Sequence, residues 1–267
     1  PPMSSTTAHL SMIRQAMTAA GGTFPKAVAQ ALDDREKLTE GAAAMTSPSP
    51  DAIAAAVADA LAAGRDPLDD EAVRRLATAS VLCGTSGNAL TGGVARATEA
   101  RVVQALTDDV DAILDTYGTA VYEAGQVLTA AWRILGDLDL SDSAAVLKMG
   151  PDASRAWTDA REAQARIRTI ERGWYALAEV TRFASSTPVA QTLRLANLSL
   201  EQVEHVVGRK AEPWAIVRAG VTIELADRES IRARVERLET ERNARENEHA
   251  ERFTNEYRRK HVAIVKA

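Results

Sequence analysis

The 267-residue sequence contains a single cysteine, Cys83. One cysteine cannot form an intramolecular disulfide, which excludes a disulfide-stapled scaffold and indicates a reducing compartment. No run approaches the roughly 20 apolar residues of a membrane span. The first seven residues have neither the charged nor the apolar region of a signal peptide. We therefore expect a cytoplasmic protein that does not enter a membrane, or a virion component if the source is a bacteriophage.

Aromatic residues are also scarce, at 4% of the chain, whereas alanine is abundant. This composition suits close helix packing better than a β-sandwich or barrel, and no segment has a clear strand pattern. The sequence predicts an all-α protein with a multi-helix body and a long, charged C-terminal helix. The predicted parts are an N-terminal helical arm (1–46), a body (47–220) and the C-terminal helix (221–267), with a Pro/Ser-rich linker at 46–50.

Glycines determine the other predicted helix ends. The glycine-rich stretch 83–93 predicts a loop, and Gly118 predicts a break between two helices at 94–117 and 119–135. The stretch 87–94 has the glycine spacing of a phosphate-binding loop. Gly93 and Val94 replace the lysine and the hydroxyl residue that such a loop needs, so we expect no nucleotide cofactor.

The most informative segment is the last fifth of the chain, which has no proline or glycine after Gly220. Its first part has an apolar pattern that suits packing on the body or on a partner helix. Residues 239–252 then carry only alanine as apolar residues, and predicted i,i+4 pairs such as Glu241 with Arg245 and Glu248 with Arg252 support the helix there. Apolar residues return from Phe253 onward, interleaved with basic ones. The sequence leaves open whether this helix projects or folds back on the body.

This layout predicts a non-enzymatic interaction or assembly protein, of the scaffolding or virion-assembly type. The acidic excess before Gly150 and its disappearance afterwards permit self-complementary association. We expect self-association through the first apolar group and docking of a protein partner through the second. The first group is Leu225, Ile231, Val235 and Leu238; the second is Phe253, Tyr257, Arg258, Arg259, Val262 and Ile264.

An alternative is a dimeric DNA-binding regulator. Residues 188–196 and 199–207 have helix-turn-helix proportions, and Arg194, Arg209 and Lys210 could contact phosphates. Glu201 and Glu204 oppose this alternative, because they lie in the first turns of the supposed recognition helix and would repel phosphates.

A third alternative is a Mg²⁺-dependent enzyme acting on a diphosphate, because Asp108, Asp111 and Asp115 would share one helix face. The surrounding dozen residues resemble the aspartate-rich helix of terpene cyclases, although Ala112 replaces one aspartate of that motif. The four histidines are far apart, and only one Glu-x-x-His pair, Glu246 with His249, is present. We therefore expect no resident metal site.

Overall fold

The computed structural model describes residues 5–44, 47–83, 87–185, 187–207 and 212–265, and within these ranges it contains twelve helices and no strand. The prediction of an all-α protein is confirmed. The helices are α1 (Ser5–Ala20), α2 (Lys26–Ala44), α3 (Pro50–Ala62), α4 (Glu71–Cys83), α5 (Gly87–Asp108), α6 (Val110–Leu135), α7 (Ser143–Lys148), α8 (Pro151–Thr181), α9 (Pro188–Leu193), α10 (Leu200–Val207), α11 (Pro213–Arg218) and α12 (Arg228–Val265).

The chain divides into two compact units. The core unit comprises Pro1–Phe24 and Val110–Ala267, and the inserted unit comprises Pro25–Asp109. These boundaries differ from the predicted ones, because α1 belongs to the same unit as α6, α8 and α12. The predicted N-terminal arm is therefore split between the two units.

The core unit is built on α1, α6 and α8, which pack on one another. Helix α6 buries a stripe that returns every three or four residues, including Ile113, Tyr117 and Leu128. Helix α8 buries mainly alanines in its first half and Ile167, Ile170 and Trp174 farther along. The small side chains along α8 let its neighbours approach closely, while the large ones fill the core farther along.

Helices α8 and α1 approach each other closely at Gly173. A methyl group on Gly173 would overlap the Cβ of Ala16 and lie 3.2 Å from the carbonyl oxygen of Met12. Beside it, the hydroxyl of Tyr117 donates a 2.9 Å hydrogen bond to the carbonyl of Ile13, and burial raises the pKa of that hydroxyl. The absence of a side chain at Gly173 therefore sets the spacing of the two helices.

In the inserted unit, α2 packs on α5 and α3 packs on α4. Helix α3 begins at Pro50 after Ser49, whose hydroxyl accepts a hydrogen bond from the amide of Ala52. Ahead of α4, Oδ1 of buried Asp70 accepts hydrogen bonds from the amides of Ala72 and Val73. Serine and aspartate, two residue types common at helix N-caps, thus cap the starts of α3 and α4.

Two glycine-based predictions are wrong. Of the loop predicted at 83–93, residues 84–86 lie outside the described residues, and α5 already begins at Gly87. Gly118 lies inside α6, whereas the break between the two helices falls at Asp109. Glycine costs a helix only about 1 kcal/mol relative to alanine. The buried stripe of α6 therefore outweighs the local preference of Gly118.

The contact at Gly173 gives a stability prediction with a matched control. Gly173→Ala should lower the free energy of unfolding of the core unit by about 1 to 3 kcal/mol, because α1 and α8 must separate. Gly118→Ala, where nothing lies within 4 Å of the added methyl, should raise it by up to about 1 kcal/mol. Urea unfolding followed by tryptophan fluorescence measures both, since all four tryptophans belong to the core unit. Equal effects of the two substitutions would contradict the packing argument.

Candidate interaction site on the C-terminal helix

The segment that leads into α12 is extended, so the prediction that the helix starts at Val221 is wrong by seven residues. The amide of Glu224 donates to the carbonyl of Leu195 at 2.8 Å, and the amide of Ala226 donates to that of Arg194 at 2.7 Å. The indole of Trp174 donates to the carbonyl of Ala226 at 2.7 Å. These hydrogen bonds tie residues 221–227 to the interior of the core unit, which a helix there could not do.

Helix α12 begins directly after this segment, and Asp227 caps it. Its Oδ1 accepts hydrogen bonds from the amides of Glu229 and Ser230, at 3.0 and 2.7 Å. Burial alone would raise the pKa of Asp227, but the hydrogen bonds from Ser230 and Glu229 and the charge of Arg234 together lower it. The carboxylate therefore remains charged at the positive end of the helix dipole.

Four polar side chains hold the first part of α12 against the preceding segment. We call them the anchor face: Arg234, Arg237, Glu241 and Arg245, spaced so that they lie along one side of the helix. Arg234 is only 4% exposed. Its guanidinium donates to the carbonyl of Leu193 at 3.0 Å, and to both the carbonyl and the carboxylate of Glu224, at 3.1 and 2.7 Å. Burial lowers the pKa of Arg234, and the charge of Glu224 opposes that effect.

Farther along the anchor face, Arg237 donates to the carbonyl of Leu198 at 2.6 Å and to Asn197 at 2.7 Å. Glu241 pairs with Arg237 and accepts a 2.8 Å hydrogen bond from the amide of Leu200. This hydrogen bond from the Leu200 amide, together with Arg237, lowers the pKa of the Glu241 carboxyl. A carboxylate from α12 therefore occupies the N-terminus of α10.

The last contact of the anchor face joins Arg245 to Glu204 of α10. Both carboxylate oxygens of Glu204 accept from the same guanidinium nitrogen, at 2.7 and 2.8 Å. The sequence predicts two i,i+4 partners for Glu241, namely Arg245 and, in the weaker orientation, Arg237. The pair with Arg237 is present, whereas Arg245 pairs with Glu204. The partners of Glu241 and Arg245 on α10 lie about 40 residues earlier in the chain. No local sequence pattern indicates them.

The first predicted contact group packs on the chain's own body. Leu225, Ile231 and Leu238 are 7%, 2% and 1% exposed, and Val235 is half-buried. Helix α12 packs here on α9 and α10. The three buried side chains are consequently not on a surface that a second copy could reach.

The second predicted contact group lies where this packing ends. Every described side chain from residue 242 to residue 254 is exposed, and Phe253 is 68% exposed. The predicted pair of Glu248 and Arg252 is present at 3.6 Å. The helical backbone continues to Val265. The side chains of Tyr257, Arg258, Arg259, Val262 and Ile264 lie outside the described part of the structure.

The residues of the DNA-binding alternative are placed differently. Arg194 pairs with Glu171 in the core unit, and burial lowers its pKa to about 10. Arg209 and Lys210 lie outside the described residues. The N-terminus of α10, which would face DNA, is occupied by Glu241. The N-terminus of α10 is therefore not free to bind a phosphate.

The three aspartates of the enzyme alternative are not on one continuous helix. Asp108 ends α5 and accepts from Gln104 at 2.8 Å, whereas Asp111 in α6 lies 3.6 Å from the guanidinium of Arg228. Asp115 also lies in α6. Within the described ranges, no three or more His, Cys, Asp or Glu side chains form a group that could hold a metal ion.

No family model, curated protein or solved structure matches this chain. Among the described residues, no helix combines the length and the apolar character needed to cross a bilayer.

The buried guanidinium of Arg234 gives a second stability prediction. Arg234→Ala should destabilise the core unit by about 2 to 4 kcal/mol, because two carbonyls and the Glu224 carboxylate lose their donor. Arg232→Ala removes the same charge from an exposed position of the same helix and should change stability by less than about 0.5 kcal/mol. Urea unfolding of both variants checks this, and similar losses would show that the buried contacts do not matter.

The lowered pKa of Glu241 gives a pH dependence. A carboxyl with a lowered pKa stabilises the fold above its ordinary value of 4.5 and loses that contribution as pH falls through the lowered value. Glu241→Gln should therefore be less stable than the wild type at pH 7, and the difference should shrink as the pH is lowered below 4.5. Thermal unfolding from pH 7 to pH 3 measures it. Glu246→Gln, an exposed neighbour, is the control, and a pH-independent difference for Glu241→Gln would contradict the assignment.

Proposed function

We propose that this chain is a non-enzymatic interaction or assembly protein that docks a protein partner through the distal part of α12 beyond the anchor face, residues 247–265, which we call the distal helix. The observation that carries this proposal is the change along α12. Its first part is held by buried apolar residues and the anchor face, whereas the described side chains after residue 241 are all exposed. Beyond Arg245, the described side chains make no described hydrogen bond or ion pair outside the helix, so this part of α12 is available to a partner.

An anchored helix is well suited to docking. Isolated helices are marginally stable in water, so a free segment would have to order itself on binding. Continuing the helix from a fixed start reduces that entropic cost. Phe253 and Tyr257, one turn apart in the sequence, have the spacing of anchors that insert into a hydrophobic groove.

The composition of this segment indicates the chemistry of its partner. Arg258, Arg259 and Lys260 follow the aromatic pair closely. A complementary surface would combine an apolar groove with acidic residues at its rim. A second copy of the chain is one source of such a surface, because the inserted unit has 13 acidic and 8 basic residues. This proposal therefore retains a scaffolding or virion-assembly role, while the self-association group at 225–238 is replaced by the distal helix.

The test is a truncation placed beyond the anchor face. A chain ending at Glu246 should keep the stability of the core unit, because Arg234, Glu241 and Arg245 remain. It should no longer capture the partner that the immobilised full-length chain retains from an extract of its source. Phe253→Asp should lose the same partner, and Asn247→Ala, also exposed on α12, should keep it.

Light scattering on the same variants tests whether the partner is a second copy. If so, the full-length chain should form a defined oligomer that becomes a monomer on truncation at Glu246. A truncated chain that captures the same partner and keeps the same mass would exclude the distal helix as the docking element.

A further inference from the structure

A cleft of about 800 Å³ lies in the core unit between α8, α9 and the start of α11. Its size is within the range of small-molecule sites. Arg168, Thr169 and Arg172 line it from one face of α8, and Thr192 lies on the α9 side. We call it the arginine cleft, because Arg194 is its third guanidinium. None of the α12 contacts described above involves a residue that lines this cleft.

The charges in the arginine cleft do not balance. Three guanidiniums face two carboxylates, and each carboxylate already has a partner. Glu171 pairs with Arg194, and both side chains are largely buried. Glu212 lies 3.1 Å from Arg168, and both of these side chains are about half exposed.

Arg172 is the guanidinium left over. Its described contact is a 3.3 Å hydrogen bond to the hydroxyl of Thr169 on the same helix, and within the described ranges no carboxylate pairs with it. Arg168 and Arg172 are four residues apart, so two like charges are neighbours on one helix face. Like charges at this spacing repel each other, and Glu212 offsets only the charge of Arg168.

We propose that the arginine cleft binds a small molecule through an oxyanion group, a phosphate or a carboxylate, held between Arg168 and Arg172. Guanidinium groups bind such anions through two parallel hydrogen bonds. The exposed pair of Arg168 and Glu212 is weak and opens at little cost, which frees the second guanidinium. The buried pair of Arg194 and Glu171 remains as the wall of the site. This site is separate from the distal helix and does not depend on the proposed function.

Calorimetric titration of the full-length chain at low salt tests the proposal, with inorganic phosphate in one arm and citrate in the other. At least one anion should bind saturably at millimolar concentrations. Arg172→Gln should weaken this binding by about tenfold, the loss expected for a charge-assisted contact. Arg155→Gln removes the same charge from an exposed position near the start of α8, outside the cleft, and should change the affinity by less than about twofold.

A second variant distinguishes a specific site from general attraction by positive charge. Glu212→Gln should tighten binding several-fold, because Arg168 loses its competing partner. Glu162→Gln removes the same charge elsewhere on exposed α8 surface and should have little effect. Binding of phosphate alone assigns the phosphate class, and binding of citrate alone assigns the carboxylate class. The absence of saturable binding by both anions, or equal effects of Arg172→Gln and Arg155→Gln, would overturn the proposal.

Discussion

The arrangement of the C-terminal third depends on one buried cation, the guanidinium of Arg234. A charge taken out of water is tolerated only when its hydrogen-bonding capacity is used. Here the partners are the carbonyl of Leu193, at the end of α9, and the carbonyl and carboxylate of Glu224, in the extended segment. One side chain therefore joins α9, the extended segment and α12. If any of the three moved, the cost of burying Arg234 would no longer be offset.

This constraint also determines which surfaces remain for a partner. With Arg234 in place, Arg237, Glu241 and Arg245 meet the polar groups of residues 197–204 in sequence. The N-terminus of α10 and the carboxylate of Glu204 are used inside the molecule as a result. A helix-turn-helix would need the N-terminus of α10 to face DNA, but Glu241 occupies it. The distal helix, by contrast, makes no described contact that would have to be broken before it binds. Because its binding would break no described contact, the distal helix is the better candidate for the docking element.

Periodicity predicted which side chains are buried better than it predicted what covers them. The apolar positions Leu225, Ile231 and Leu238 were identified from the sequence, and all three are buried. Ile231 and Leu238 lie on α12, which packs on α9 and α10 of the same chain, and no local pattern indicates these neighbours. Residues 221–227 contain no helix breaker, yet two long-range backbone hydrogen bonds to Arg194 and Leu195 keep them extended. Helix propensities differ by a few tenths of a kcal/mol per residue, so such tertiary contacts prevail. The arginine cleft could not be predicted from the sequence for the same reason, because its walls come from separate helices.

The charge of the chain is divided by unit, and this division bears on every binding hypothesis. The inserted unit has five more acidic than basic residues, which equals the net charge of −5 of the whole chain, so the core unit is neutral overall. Against that neutral background, the unpaired Arg172 and the basic end of α12 are local excesses that no acidic surplus in the same unit cancels. Under the two proposals above, both features attract anionic ligands or acidic surfaces, whereas the acidic excess of the inserted unit repels them. Attraction to an acidic partner would therefore orient the chain before contact, and it would weaken as salt shortens the screening length. An interaction governed by the apolar residues of α12 alone would not show that salt dependence.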